Sequence, residues 1–83
     1  MEELKMLTQD EVAKLFGTHI TTVTTLRELG ILKAIRIGRA FMFSQEGIRT
    51  FQKEYAGLDV SNKYKAIRSR EYVEERHHQE QGV

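Results

Sequence analysis

The spacing of apolar residues changes several times along this chain, and each change marks an element. Val12, Leu15 and Phe16 fall at i, i+3 and i+4 and predict a short helix. Its start is marked by Thr8-Gln9-Asp10-Glu11, the pattern of a capping box. In that motif the Thr8 hydroxyl accepts from the amide of Glu11, and the Glu11 carboxylate accepts from the amide of Thr8. Leu7 before the cap and Val12 at the fourth helical position add a hydrophobic staple. Gly17 supplies the residue best suited to the left-handed stop. A second helix is expected from about His19 to Leu29, with Ile20, Val23, Leu26 and Leu29 as its apolar stripe and Gly30 as its end. Thr21, Thr22, Thr24 and Thr25 lower its local propensity, so packing compensates or the surface serves another purpose.

From Gly30 onward the pattern takes on strand character. Ile31, Leu32, Ile35 and Ile37 are interrupted by Ile37-Gly38-Arg39-Ala40 and followed by Phe41-Met42-Phe43, which predicts a short β-hairpin with cations at its tip. Ser44 is the expected cap of a third helix over about 45–56, with Ile48, Phe51 and Tyr55 on one face and Gly57 at its end. Gly47 costs that helix about 1 kcal/mol relative to alanine. Leu58 to Asn62 has turn chemistry. Residues 63–80 predict a fourth helix with a thin, irregular apolar face of Tyr64, Ile67, Tyr72 and Val73, of which Tyr64 and Ile67 are expected to pack on the domain. Met1 to Met6 reads as a loosely held leader, and Gly82 and Val83 as fraying ends.

Composition narrows the class. A chain of 83 residues that is 40% hydrophobic fits one small domain with little spare stability. It has no cysteine, hence no disulfide framework and no Cys-based zinc site, which fits a reducing compartment. No apolar run approaches the roughly 18 residues of a membrane span, and no basic-then-apolar leader opens the chain. A soluble, cytoplasmic protein with no membrane partner is therefore expected. Net charge is only +1, so distribution matters more than total. Arg27, Lys33, Arg36 and Arg39 stand against Glu28 alone over residues 27–39. Lys63, Lys65, Arg68 and Arg70 have no acid among them, whereas Glu71, Glu74, Glu75 and Glu80 dominate the far end. Such asymmetry orients a molecule on a polyanion.

Catalytic and metal chemistry find little support. Ser44, Ser61 and Ser69 lack a motif that sets a base beside them, and no glycine-rich phosphate loop occurs. His77 and His78 project about 100° apart on a helix, with no Cys or Asp at supporting spacing. The reading is of a non-enzyme with no cofactor and no metal site.

Two helices followed by a basic hairpin is a recurrent way to present one helix and one loop to duplex DNA. The run Leu7-Thr8-Gln9-Asp10-Glu11-Val12-Ala13-Lys14-Leu15-Phe16-Gly17, followed by Thr22-Val23, Gly30-Ile31-Leu32, Ile37-Gly38-Arg39 and Phe43, resembles the excisionase-type winged helix-turn-helix proteins, relatives of the MerR regulator DNA-binding domain. The resemblance covers about residues 6–55, and the closing helix with Ile48 and Phe51 also fits. It implies a mainly α fold with a small β-hairpin, α-α-β-β-α, with residues 1–57 as the DNA-binding domain. Residues 58–83 form an extension, helical or partly disordered, with no counterpart in the family core.

The same resemblance implies that the second helix enters the major groove while the wing reaches the neighbouring minor groove or backbone. On that basis Thr21, Thr22, Thr24, Thr25 and Arg27 are the candidate helix contacts, and Lys33, Arg36, Gly38 and Arg39 those of the wing. Hydroxyls and methyls on such a helix read phosphates and thymine methyls; an arginine after a turn glycine enters a narrow minor groove or grips phosphate. The chain departs from the family pattern at His19, where Ser or Thr is usual, and at Thr25, where many members carry Arg; Arg27 is expected to take over part of that role. The implied function is that of a phage or mobile-element excisionase, a recombination directionality factor that binds and bends attachment-site DNA. Its implied partners are duplex DNA, an integrase and further copies of itself. A MerR-like transcriptional regulator at a promoter, or an interaction module working through the tail, are the alternatives.

Overall fold

A computed structural model describes residues 4–81, with 80 and 81 given by their backbone. The part of the expected leader before Leu4, and the expected fraying of Gly82 and Val83, lie outside the described residues. The first element is a strand that the apolar spacing did not announce, β1 (Leu7–Thr8). Helix α1 (Gln9–Phe16) follows at once, because Thr8 is extended, with φ −75° and ψ 166°, and caps it. The Glu11 amide donates to Thr8 Oγ1 at 3.1 Å, and the Thr8 amide donates to Glu11 Oε1 at 2.9 Å. The Thr8 amide, and after it the Thr8 hydroxyl, bond the ionised form and hold the Glu11 carboxyl below its ordinary range.

Helix α1 ends at Gly17, φ 65°, where the amides of Gly17 and Thr18 return to the carbonyls of Lys14 and Ala13, a Schellman motif. Helix α2 (Ile20–Glu28) ends the same way, with Gly30 donating to Arg27 and Ile31 to Leu26. Its N-cap, His19, makes no side-chain cap bond. The back-bonded threonines account for the poor local propensity. Thr24 Oγ1 donates to the carbonyl of Ile20 at 3.1 Å, and Thr25 Oγ1 donates to that of Thr21 at 3.0 Å. Both hydroxyls are thus satisfied inside the helix.

The wing is shorter than the apolar run suggested. Ile31 and Leu32 lie in the turn after α2 and are buried in the core, whereas β2 (Ile35–Ile37) and β3 (Ala40–Phe43) form the hairpin. The sheet order is β1-β3-β2, antiparallel, with Leu7 opposite Phe43 and Ile37 opposite Ala40. Gly38 and Arg39 alone make the loop, and Gly38 at φ 65° supplies the positive angle that a type II′ turn needs at its first central residue. Alternation puts Phe41 and Phe43 on the inner face and Ile35 and Ile37 on the outer one, where they are 57% and 56% exposed.

Ser44 caps α3 (Gln45–Glu54) by accepting from the Gly47 amide at 2.9 Å. Glycine at 47 has a local reason: a Cβ there would stand 3.0 Å from the Ser44 hydroxyl that makes the cap. Phe51 stacks between Phe16 and Tyr55, with ring centroids 5.5 and 5.3 Å away. The core gathers Val12, Val23, Leu26, Leu32, Phe43 and Ile48. Two expected core faces are altered. Leu15 and Ile20 are exposed, and Ala13 is buried beside Val12 on α1.

The extension folds as α4 (Lys63–Gln81) and returns to the same core through Ala66 and Val73. Tyr64, expected to pack, is instead 69% exposed, and Tyr72 is also exposed; Val73 of the expected face is buried, and Ala66, one heptad before it, faces inward with it. Polar anchors supplement this narrow seam. Asn62 Oδ1 accepts from the Lys65 amide at 2.9 Å, and the buried Ser69 hydroxyl donates to the Asp59 carbonyl at 2.7 Å. Arg70 Nη1 donates to the Leu29 carbonyl at 2.9 Å and Arg76 Nη2 to the Glu54 carbonyl at 2.8 Å. Each arginine thus sits at the C-terminal, negative end of another helix. His77 Nε2 lies 2.8 Å from Glu54 Oε2, so this histidine is engaged with α3.

The cap at Thr8 carries a prediction. Thr8→Ala should lower stability by about 1 kcal/mol, seen as a lower urea midpoint by circular dichroism. The Glu11 half of the cap is complete above the ordinary carboxyl value of 4.5 and is lost as pH falls through its depressed native value. The difference between Thr8→Ala and the unaltered protein should therefore shrink in acid; a difference that grew in acid would refute the reciprocal cap.

Candidate nucleic-acid interface

Helix α2 buries Val23 and Leu26, so its outward side carries Thr21, Thr24 and Glu28, at i, i+3 and i+7, with Thr25 beside them. Thr21 and Glu28 are exposed, Thr24 and Thr25 half-buried. The hydroxyl protons of Thr24 and Thr25 are committed to helix carbonyls, so these residues offer methyl groups and remaining lone pairs. Thr22 turns aside, into a groove it shares with Phe16, Leu26 and Leu58. Glu28 was not singled out from the sequence, although its spacing from Thr21 and Thr24 places it on the same stripe. A carboxylate there is an acceptor suited to the cytosine amino group.

The wing is fastened beside this stripe by a side-chain relay. Gln9, the first residue of α1, donates through Nε2 to Thr24 Oγ1 at 2.7 Å. Its Oε1 accepts from Arg27 Nε at 3.2 Å. The Arg27 guanidinium lies over the Phe41 ring, 3.7 Å from its centroid. Arg36 approaches the same ring at 5.5 Å, and its Nε donates to the Gly38 carbonyl at 3.3 Å. Arg27 is therefore half-buried and bound from two sides, not a free arm replacing the missing arginine at position 25. Two cations on one ring are favourable only while their outer faces remain in water or meet an anion. Gln9 was missed because its role depends on a partner 15 residues away and another 18 residues away.

Arg39 stands exposed at the tip, next to Gly38. Thr21, Thr24, Arg27, Arg36, Gly38 and Arg39 are thus linked through α2, Gln9 and Phe41 into one surface. Lys33 is elsewhere. It lines a groove of about 630 Å³ with Glu46, Glu54, Arg70, Glu74 and His77, to which α2 contributes nothing. Three carboxylates there disfavour a phosphate backbone. Among the described residues no group of three or more His, Cys, Asp or Glu is placed to hold a metal, and no helix is long and apolar enough to cross a membrane.

Two helices joined at a tight glycine turn, with a hairpin fastened beside the second, define a winged helix-turn-helix protein. The chain belongs to the helix-turn-helix domain family, whose model matches residues 6–56, and is thereby a sequence-specific DNA-binding protein. The match ends just past α3, so the linker and α4 lie beyond it. No curated protein and no solved structure matches the chain.

The relay through Gln9 is open to test. Gln9→Ala removes two side-chain hydrogen bonds, each worth about 0.5–1.5 kcal/mol net, and should lower stability by about 1–2 kcal/mol in urea unfolding. It should also weaken duplex binding, because α2 and the wing lose their common brace. An unchanged unfolding midpoint would show that the amide does not hold them.

Proposed function

We propose that this protein is an excisionase-like recombination directionality factor of a phage or mobile element. In this reading it occupies several adjacent sites in attachment-site DNA, bends it, and directs an integrase. Helix α2 lies in the major groove with Thr21, Thr25 and Glu28 toward base edges, and Arg39 reaches the neighbouring minor groove. Arg36 adds a cation along the wing. Residues 6–55 support the reading through the order and spacing of their motifs. The observation that carries it is the chemistry of the α2 face. It offers methyls, the committed hydroxyls of Thr24 and Thr25, the Thr21 hydroxyl and one carboxylate, and its arginine is spent on Phe41 and Gln9. A good bidentate side-chain pair is worth about 1–3 kcal/mol of discrimination, and among the described residues no free Arg, Asn or Gln stands on that face to make one. One copy therefore discriminates weakly, which suits a protein that gains selectivity from several neighbouring copies and from the deformability of the site.

A MerR-like regulator acting at a promoter is the second reading; the same fold and face serve it, at a single operator. Footprinting on DNA flanking its own gene separates the two. Several tandem protected sites, with bending seen as anomalous gel mobility, are expected. Protection of one promoter site without bending would overturn the excisionase reading in favour of the regulator. Arg39→Ala should weaken binding on every sequence and reduce the salt slope by about one counterion if it grips a phosphate. An unchanged slope with weaker binding would assign Arg39 to base-edge contact in the minor groove instead.

A further inference from the structure

The wing braces one flank of α2; the extension lies along the other. There the start of α4 and the linker before it meet the helix in a small notch of about 100 Å³, open to solvent. Its lining is nearly all polar: Thr21, Thr22 and Thr25 from α2, and Ser61, Asn62 and Lys63 from the other side. The charges around it are uneven. Asp59 accepts from the Ser61 amide at 2.9 Å and pairs with Lys65 Nζ at 3.2 Å, so that acid and that lysine cancel. Lys63 is exposed and forms no ion pair among the described residues. Arg68 is drawn to the outer side, 5.8 Å from the Tyr64 ring, and takes no part.

From this arrangement we infer that the notch between α2 and α4 is a second anchor on DNA, in which Lys63 and the hydroxyls of Thr21 and Thr22 hold one backbone phosphate. The Thr25 hydroxyl is committed to the Thr21 carbonyl and that of Ser61 to Asp59. The inference rests on the proposed placement of α2 in the major groove. That groove is about 12 Å wide, and a helix with its side chains fills about 10–12 Å. Elements on both flanks of such a helix therefore face the two sugar-phosphate walls. The wing takes one wall. The notch, on the opposite flank and holding the only cation not already engaged there among the described residues, takes the other. Hydroxyls and a lysine suit a phosphate, because they supply donors and positive charge without demanding a particular base. The extension beyond the matched family region thus becomes part of the DNA-binding surface.

Lys63→Ala keeps a strong helix former at the start of α4, so folding is not at issue. On a duplex that the unaltered protein footprints, Lys63→Ala should weaken binding equally on all sequences and lower the salt slope by about 0.9. Lys63→Arg should restore both. Single phosphates in that duplex are then replaced by neutral methylphosphonates. One replacement should cost affinity for the unaltered protein and for Arg39→Ala, yet cost nothing for Lys63→Ala. A second phosphate, across the groove, should behave in the opposite way. If Lys63→Ala responds to every replacement as the unaltered protein does while Arg39→Ala loses one, the notch is not an anchor although the wing reading stands. If neither variant loses a phosphate and binding is unchanged, both assignments fall. Inhibition of duplex binding by inorganic phosphate that disappears in Lys63→Ala, with no methylphosphonate position lost, would make the notch a free-anion site and overturn its assignment to DNA.

Discussion

Beside the direct contact of Arg27 with Phe41, the wing is tied to α2 through three consecutive residues. Leu7 pairs with Phe43 across the sheet, Thr8 pairs with Met42 and caps α1, and Gln9 ties Thr24 to Arg27. A strand thus becomes a helix at one residue, so the direction of β1 sets the direction of α1 with no slack between them. The reciprocal bonds between Thr8 and Glu11 hold that corner, and the core built on Val12 and Phe43 closes over it. Wing and helix pair are in this way two ends of one short, braced segment.

Much of this was legible in the sequence where the cause is local. The capping box at Thr8, the stop at Gly17 and the two-residue loop at Gly38-Arg39 each follow from a backbone requirement that few residue types meet. The third helix and its Ser44 cap were equally plain. What escaped was set by contacts between distant positions. Strand β1 is two residues long and exists because β3 is there to pair with it. The inward face of α4 uses Ala66 and Ser69 instead of Tyr64: Ser69 donates to the Asp59 carbonyl of the linker, while Arg70 and Arg76 reach the carbonyls that end α2 and α3. Periodicity finds large apolar residues and passes over small ones backed by hydrogen bonds.

The candidate surface shows the same division. The basic tip and the threonine-rich helix were evident from composition and spacing, and Glu28 could have been found by extending the stripe from Thr21 and Thr24. The fate of Arg27 could not. An arginine beside a recognition helix reads as a free cation until an aromatic ring and an amide are known to stand against it. Its capture by Phe41 and Gln9 converts a candidate contact into the joint that aims the wing. Lys33 shows the converse, since proximity in sequence to Arg36 did not bring it to the same side of the molecule.

The outer face of β2 has a consequence for the free protein. With sheet order β1-β3-β2, this strand has no neighbour on its outer side among the described residues, which leaves a row of backbone donors and acceptors open, and Ile35 and Ile37 leave apolar surface beside them. An open sheet edge of this kind is a template for pairing with another chain. Its guard is slight, a length of three residues, because the Arg36 charge lies on the other face, over Phe41. Edge-to-edge pairing in concentrated solution is therefore opposed by the shortness of the strand and not by a charge on that face.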